Sequence, residues 1–305
     1  MSSRSPAFRA EVAGGVCRFR RADGATRFLS TGFDGGVRVA DAAYNVTVPE
    51  GWGDAGRRDL RGYVDGRIRD AGFRVGGGTA SDDRTAPPAL LTGVDQRHAR
   101  IARLDGATAV ATAGVSNPAA LPIPDGDAEA VGEGDSARVG TGIVGDDADA
   151  PEDDADTPGD DAAPHAGTVN LLVGADRALA PGALANLVAV VAEAKAATLL
   201  ATVGFPGTTS DAVVVGCPAE HTDATGSDPT EGDAAATERE PAAFSGAATP
   251  VGSAVRACVR DAVRASLVSR YGPALEAAPA SVANAEHGVV TDRRSTVERA
   301  GGGSR

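Results

Sequence analysis

The sequence predicts an α+β fold: a single domain over residues 1–305, in which a mixed or antiparallel sheet packs against helices and carries two acidic surface inserts. Short β-rich runs alternate with glycine-rich turns in the first half of the chain, and two long segments with helical apolar spacing occupy the second half. Nothing in the composition separates two cores. Aromatic residues make up only 4% of the chain, so the core is expected to be aliphatic.

The first half predicts two hairpins and one helix. Residues 27–48 contain two β-rich runs with valines at period two, joined by the turn sequence FDGG, which is typical of a hairpin. Residues 54–73 place apolar side chains at helical spacing and arginines on the other faces, which indicates an amphipathic surface helix. Asp105-Gly106, between two further strand-like runs, is the two-residue signal for a type I′ hairpin.

The second half predicts two strands and two helices. Residues 166–176 form a short apolar strand, and Pro181 suits the first turn of a helix that runs to about residue 202. That helix is apolar on nearly all faces, so it is expected to be largely buried. The strand DAVVVGCP follows, and a last helix is then expected to turn its valines inward and three arginines outward, namely Arg256, Arg260 and Arg264.

The net charge of −13 comes from two segments. Residues 124–166 contain 14 acidic residues and one arginine, residues 219–243 contain seven and one, and the rest of the chain is positive by about six charges. Both segments are rich in Asp, Gly, Pro and Ala and too poor in apolar side chains to fold alone, so we expect disordered, solvated inserts. The tail, residues 273–305, has little pattern and is expected to be flexible.

Composition argues against several classes of protein. No apolar run of membrane-spanning length and no secretory leader is visible, so we expect a cytoplasmic protein without a membrane partner. Three cysteines far apart indicate reduced thiols and no structural metal. Scattered arginines and few aromatic rings argue against a nucleic-acid partner, and the sequence is compatible with a homo-oligomer. One lysine against 28 arginines, with Asp-rich inserts, fits a halophilic cytoplasm.

The sequence GTTSD at residues 207–211 is the first candidate site. These residue types form turns, so a plain turn before a strand is one interpretation. In the other, the hydroxyl groups and backbone N–H groups of Thr208, Thr209 and Ser210 converge on an oxyanion, Asp211 orients a partner, and a hydroxyl is a candidate nucleophile. The segment lacks the lysine of a phosphate-binding P-loop, so nucleotide binding is not supported.

Three further side chains are candidates for proton transfer. Glu193 and Lys195 lie on the otherwise apolar helix, where a buried charge is costly unless it is paired or used. Because they are two positions apart they cannot simply pair with each other, and the alternative is that both reach water at the helix edge. His98, beside Asp95 at a strand start, is either a general base or a solvated residue.

Seven blocks in a fixed order resemble the adenosylcobinamide amidohydrolase family of corrinoid salvage. They are RFLSTGFDGG, LLTGVDQRHARI, ATAGVSNP, AGTVNLLV, AEAKAATL, GTTSDAVVVGCP and FSGAATPVG, and the resemblance spans Arg27 to about Leu267. Two departures stand out. Phe33 and Asp34 occupy positions where the family commonly has tryptophan and asparagine, and the family's TGT-type loop before the SDAVVV strand is PGTTSD here.

The resemblance implies hydrolysis of the amide that joins the corrin propionate side chain to aminopropanol. The cobalt corrinoid would be the substrate, with no separate cofactor and no metal site. Activation of water would fall to Glu193 or His98, oxyanion binding to the 208–210 loop, and the leaving group or a carboxylate partner to Lys195. In a second mechanism, Thr208 or Ser210 is a covalent nucleophile. The matching blocks imply substrate contacts by Ser30, Thr31, Asp34, Gly35, Gly36, Ser116, Asn117 and Asn170.

Two other functions are compatible with the same residues. A corrinoid-binding carrier would capture cobinamide without hydrolysing it, and it would tolerate isosteric replacement of the proton-transfer residues. The Phe33-Asp34 departure also allows hydrolysis of a different amide.

Overall fold

We describe a computed structural model of the chain, covering residues 6–49, 52, 59–74, 86–123, 167–219, 240–285, 287–293 and 295–296. The described residues between 6 and 121 and between 167 and 291 form one compact unit, the main unit, and almost all of residues 122–162 and 292–305 lie outside the described part of the chain. The predicted insert at 124–166, most of the one at 219–243 and the start of the first predicted helix lie outside the described residues.

Thirteen strands and three α-helices are present in the described part of the chain. The helices are α1 (Leu60–Asp70), α2 (Pro181–Val203) and α3 (Pro250–Tyr271). The strands are β1 (Phe8–Ala13), β2 (Val16–Arg21), β3 (Thr26–Ser30), β4 (Gly36–Ala40), β5 (Ala43–Thr47), β6 (Ala89–Thr92), β7 (Arg100–Leu104), β8 (Ala107–Ala113), β9 (Pro118–Ala120), β10 (Val169–Ala175), β11 (Gly207–Thr208), β12 (Ala212–Pro218) and β13 (Val289–Val290).

The main unit stacks four layers. A six-stranded central sheet has the order β4-β3-β12-β10-β8-β7, and a four-stranded outer sheet has the order β1-β2-β5-β6. Helices α2 and α3 pack on one face of the central sheet, the outer sheet covers its other face, and α1 packs on the outer sheet. In the central sheet β10 and β12 are parallel and the other pairs are antiparallel, which confirms the predicted mixed sheet and α+β class.

Local signals produced the predicted turns and helix ends. β3 and β4 form the hairpin around FDGG, and β7 and β8 form the second hairpin. The second predicted run of the first hairpin is divided, however, because its later part forms β5 in the outer sheet. At that second turn Asp105 and Gly106 have φ values of 44° and 81°, the left-handed pair that a type I′ turn requires. Helix α2 begins with Pro181 at its first turn and ends at Gly204, whose φ of 84° provides a left-handed cap.

Helix α2 is less buried than its apolar sequence predicts. Its length and mean hydropathy would suit a membrane span although Glu193 and Lys195 interrupt the apolar run, and 44% of its most apolar window is buried. One side, with Leu187, Val191 and Leu199, packs into the core, whereas much of the opposite side is alanine that faces outward. Alanine is apolar but small, so its exposure costs little hydrophobic free energy and periodicity cannot tell the two sides apart.

Part of the predicted flexible tail pairs with the sheet. Within residues 273–305, Val289 and Val290 form β13, which runs parallel to β9 in a three-stranded sheet of order β11-β9-β13. The backbone N–H of Thr291 also donates to the carbonyl of Ala120 at 2.9 Å. Two β-branched residues suffice for this pairing because the backbone, not a side-chain pattern, makes the bonds.

Candidate active site

One end of the central sheet collects most of the residues predicted to form a site. The register places the start of β12 beside the start of β10 and the end of β3, and the end of β8 lies on the other side of β10. The loops that connect these four strands therefore lie together at this end of the sheet. The predicted residues there are Ser30, Thr31, Asp34, Gly35, Gly36, Ser116, Asn117, Asn170, Thr208, Ser210 and Asp211.

The carboxylate of Asp211 is the centre of this end of the sheet. Oδ1 accepts hydrogen bonds from the Val169 backbone N–H at 2.9 Å and from the Thr208 hydroxyl at 2.5 Å. Oδ2 accepts from the Thr208 backbone N–H at 3.1 Å and from the Lys195 ammonium group. Two carboxylate oxygens have about four lone-pair sites in all, so these four donors fill them.

The Asp211 carboxylate accounts for the presence of a lysine on the otherwise apolar helix α2. Lys195 extends from this helix to Asp211, and the two side chains are only 13% and 11% exposed. The predicted carboxylate partner of Lys195 is thus Asp211. Gly207 lies against the pair, since a Cβ there would come within 2.8 Å of Asp211 Oδ2 and 3.2 Å of Lys195 Nζ. The glycine of GTTSD therefore leaves the space that the ion pair occupies.

A groove of about 380 Å³ opens beside this ion pair. Thr208, Thr209, Asp211 and Lys195 contribute its polar wall, and its remaining lining comes from Ala119, Ala120, Leu121, Pro206, Gly207 and Thr291. An ammonium group, a carboxylate and a hydroxyl thus meet at the edge of an otherwise mainly apolar groove, which is the composition of a small-molecule site.

The first glycine-rich block is held in place by its own backbone and by α1. Thr31 exchanges hydrogen bonds with the backbone of Val213, and Ser30 Oγ accepts from the Gly32 N–H at 3.0 Å. The carboxylate of Asp34 pairs with Arg61 of α1, and the same guanidinium lies 5.3 Å from the centre of the Phe33 ring. Arg61 therefore engages both of the residues that depart from the family pattern.

The tight turn of that block explains its two glycines. A Cβ on Gly35 would lie 2.9 Å from the Ser30 carbonyl oxygen, and Gly36 has a φ of 105° that other residues rarely adopt. Both glycines are therefore explained by the backbone conformation of the turn.

Ser116, Asn117 and Asn170 lie where the end of β8 and the start of β10 meet the loop 207–211. The Thr209 N–H donates to the Asn117 carbonyl at 3.1 Å, and Asn170 is the register partner of Ala212. Asn117 and Asn170 are 2% and 1% exposed. Gly167 packs so closely here that a Cβ would lie 2.5 Å from Ser116 Oγ. The loop after β8 is thereby fixed against the start of β10.

The structure does not bring Glu193 to this cluster. Its side chain is 65% exposed on the outer side of α2 and pairs with Arg256 of α3 at 3.1 Å. This is the alternative in which the charge reaches water at the helix edge. Asp211, which approaches Lys195 from the sheet, is the carboxylate of the groove instead.

His98 also lies apart from the loop. It precedes β7, three strands from β12, which corresponds to about 14 Å at the usual strand spacing. Arg97 Nε donates to its Nε2 at 3.1 Å, so Nδ1 carries the proton and donates to Ser269 Oγ of α3 at 3.0 Å. Burial, followed by the charges of Arg97 and Arg270, lowers the pKa of His98. The neutral ring thus connects the edge strand to α3.

Sequence reasoning missed a set of polar side chains between the two sheets. Asn45 on β5, Thr92 on β6, Thr112 on β8 and Thr168 before β10 are all at most 2% exposed. Asn45 Nδ2 donates to Thr112 Oγ1 at 2.9 Å, and the Thr92 and Thr168 hydroxyls are 3.2 Å apart. The sequence did show a hydroxyl or amide side chain inside an otherwise apolar strand. A strand position that faces solvent gives the same pattern, so the pattern did not identify these residues as buried.

Comparison with known proteins gives one strong sequence match and weak structural ones. The family model for adenosylcobinamide amidohydrolase matches residues 9–274. A curated protein of Halobacterium salinarum with the same name is 47% identical over 274 residues, which is 90% of this chain and 92% of that protein.

Two solved structures align over most of the chain at low similarity. A protein from Pyrococcus horikoshii OT3 has a TM-score of 0.37 and 12% identity, over 87% of this chain and 80% of its own. The L-aminopeptidase D-Ala-esterase/amidase of Ochrobactrum anthropi has a TM-score of 0.28 and 11% identity, over 86% and 83%.

Proposed function

Since this chain belongs to the adenosylcobinamide amidohydrolase family and is a hydrolase of an amide bond, we propose that it cleaves the aminopropanol amide of adenosylcobinamide. The products are adenosylcobyric acid and 1-amino-2-propanol, and the role is salvage of cobinamide for cobalamin synthesis. The cobalt corrinoid is the substrate, and the reaction as proposed uses no separate cofactor. Near-complete coverage by a 47% identical relative of that name is the observation that carries this proposal.

The reaction is assigned to the groove beside Lys195 and Asp211. Hydrolysis of an amide needs a nucleophile, a proton acceptor and an acid for the leaving amine. The Thr208 hydroxyl is the nucleophile. Its proton already has an acceptor, because Oγ1 donates to Asp211 Oδ1. Lys195, bonded to the other carboxylate oxygen, supplies the acid. A nucleophile, a base and a third group that orients the base form the usual arrangement for covalent catalysis.

Direct activation of water by Asp211 is less well supported. All four of its lone-pair sites hold donors, so a water molecule would have to displace one of them before it could give up a proton. The Thr208 hydroxyl is already one of those four donors. The sequence left open water activated by Glu193 or His98 and a covalent Thr208 or Ser210. Because Glu193 and His98 lie away from the groove, and Thr208 already donates to Asp211, the covalent mechanism with Thr208 fits the hydrogen bonds better.

The steps balance as follows. Thr208 Oγ1 attacks the carbonyl carbon while its proton passes to Asp211, and the C–N bond breaks as Lys195 gives a proton to the leaving amine. The acyl group is then an ester of Thr208. Water attacks this ester after losing a proton to the neutral Lys195 amine, Asp211 returns its proton to Thr208, and the carboxylic acid is released.

The decisive test uses adenosylcobinamide itself. Purified protein in high salt is incubated with it, and the corrinoid is followed by mass spectrometry. Adenosylcobyric acid and free aminopropanol in equal amounts are expected. Tight binding without cleavage would instead support a carrier, and neither binding nor cleavage would mean that the chain acts on another amide.

A further inference from the structure

Three buried polar atoms at the site end of the central sheet have no hydrogen-bond partner among the residues that the structure describes. They are the side-chain oxygen Oδ1 of Asn170, the side-chain nitrogen Nδ2 of Asn117 and the hydroxyl Oγ of Ser210. A buried polar group without a partner destabilises the folded state, because its hydrogen bonds to water are lost and not replaced. Such groups are rare in folded proteins and call for an explanation in each case.

The unpartnered atom of Asn170 is identified by its neighbours. Asn170 Nδ2 donates to Asn45 Oδ1 at 2.9 Å and to the backbone carbonyl of Leu91 at 2.8 Å. A backbone carbonyl can only accept, so the nitrogen must face Leu91 and the oxygen must point elsewhere. The network between the two sheets therefore holds the Asn170 oxygen in place as a free acceptor.

The three atoms belong to neighbouring segments. Asn170 pairs in register with Ala212 at the start of β12, and Ser210 lies two residues before that position. The Asn117 carbonyl accepts from the N–H of Thr209, which is next to Ser210. One acceptor, one N–H donor and one hydroxyl that can do either are thus carried by segments that adjoin the loop with Thr208.

We propose that Asn117, Asn170 and Ser210 recognise the secondary amide that is cleaved, an inference that rests on the proposed function. Asn117 Nδ2 donates to the carbonyl oxygen, Asn170 Oδ1 accepts from the amide N–H, and the Ser210 hydroxyl donates to the second lone pair of the carbonyl. A secondary amide offers one N–H and one oxygen with two lone pairs, which matches this set. The carboxylate product has no N–H for Asn170, so it binds less tightly than the substrate.

The test compares hydroxyls that differ in whether they have a partner. Ser210→Ala removes a hydroxyl that has no partner among the described residues, so the free energy of unfolding should stay the same or rise. KM for adenosylcobinamide should increase about three- to tenfold, with kcat changed less. Ser245→Ala is the matched control, because the buried Ser245 hydroxyl donates to the Ala183 carbonyl at 2.7 Å and is outside the proposed contacts. It should lower stability and leave KM unchanged.

A second variant keeps the side-chain shape. Asn117→Asp replaces the N–H donor with an oxygen that faces the substrate carbonyl, so KM should rise at least about tenfold. An unchanged KM in both Ser210→Ala and Asn117→Asp would overturn the proposal. So would a loss of turnover in Ser210→Ala with KM unaffected, since this would make Ser210 the nucleophile.

Binding is measured independently of turnover. Equilibrium dialysis with adenosylcobinamide, read by corrin absorbance, gives Kd for the wild type and for the two site variants. If the wild type binds this corrinoid but does not cleave it, the proposed function fails and the differences in Kd still decide the amide site. Weaker binding by both variants supports the inference, and equal binding contradicts it.

Discussion

Lys195 of α2 and Asp211, the residue before β12, form an ion pair that connects the helix layer to the end of the central sheet. Each side chain is largely buried, and Asp211 also holds Thr208 and the start of β10 through Val169. A single carboxylate thereby positions a helix, two strands and the loop assigned to catalysis.

Breaking this pair should be costly. Lys195→Met leaves the Asp211 carboxylate buried with one donor missing, so we expect the free energy of unfolding to fall by about 3–5 kcal/mol. The exposed pair of Arg256 with Glu193 provides the control, because Arg256→Met should cost at most about 1 kcal/mol. Urea denaturation of both variants measures the difference. Similar small losses in the two would show that burial does not strengthen the dependence on Lys195.

A methyl group at position 207 should disturb the same pair. The Cβ of Gly207→Ala would enter the space between Asp211 and Lys195, so stability should fall by about 1–3 kcal/mol and hydrolysis with it. Gly66 in α1 has no atom within 4 Å of such a Cβ, and Gly66→Ala should raise stability by about 0.5–1 kcal/mol. Thermal unfolding compares the two. Equal melting temperatures would contradict the close packing described for Gly207.

His98 should make stability depend on pH. Its pKa is lowered from 6.5 in the folded protein, so between that lowered value and 6.5 the unfolded chain binds more protons. Its contribution is therefore full above about 6.5 and is lost as pH falls through this window. We expect His98→Asn to lose less stability than the wild type between about pH 7 and about pH 5, measured by urea denaturation. Parallel pH profiles would refute this.

Thr208 should be required for turnover. Thr208→Ala removes the proposed nucleophile, and kcat should fall about a thousandfold or more, whereas Thr208→Ser should keep measurable activity. Thr202→Ala, which removes a helix hydroxyl bonded to Thr198, is the control and should retain full activity. The product is quantified by mass spectrometry. Persistent activity in Thr208→Ala would return the choice to activated water.

Much of the fold was predictable because its signals are local. The left-handed turn at Asp105-Gly106 and the start of α2 at Pro181 follow from backbone conformations that a few residue types favour. Alternation and helical spacing likewise located the central strands β3, β7, β8, β10 and β12 and the inward side of α3, whereas β1 and β2 were not predicted. The stretch 207–211 was recognised as a candidate site from its residue types and from the blocks around it.

The sequence by itself determined the α+β class, the main elements and the loop where polar groups gather. Only the tertiary structure decided which charges meet there. Lys195 pairs with Asp211, whereas Glu193, two residues before it, faces water. Asn170 donates a hydrogen bond to Asn45, which lies 125 positions away in the sequence. The conformational preference of a short segment depends on a few neighbouring residues. The partner of a buried charge or amide depends on how helices and sheets pack, and that packing is decided by interactions along the whole chain.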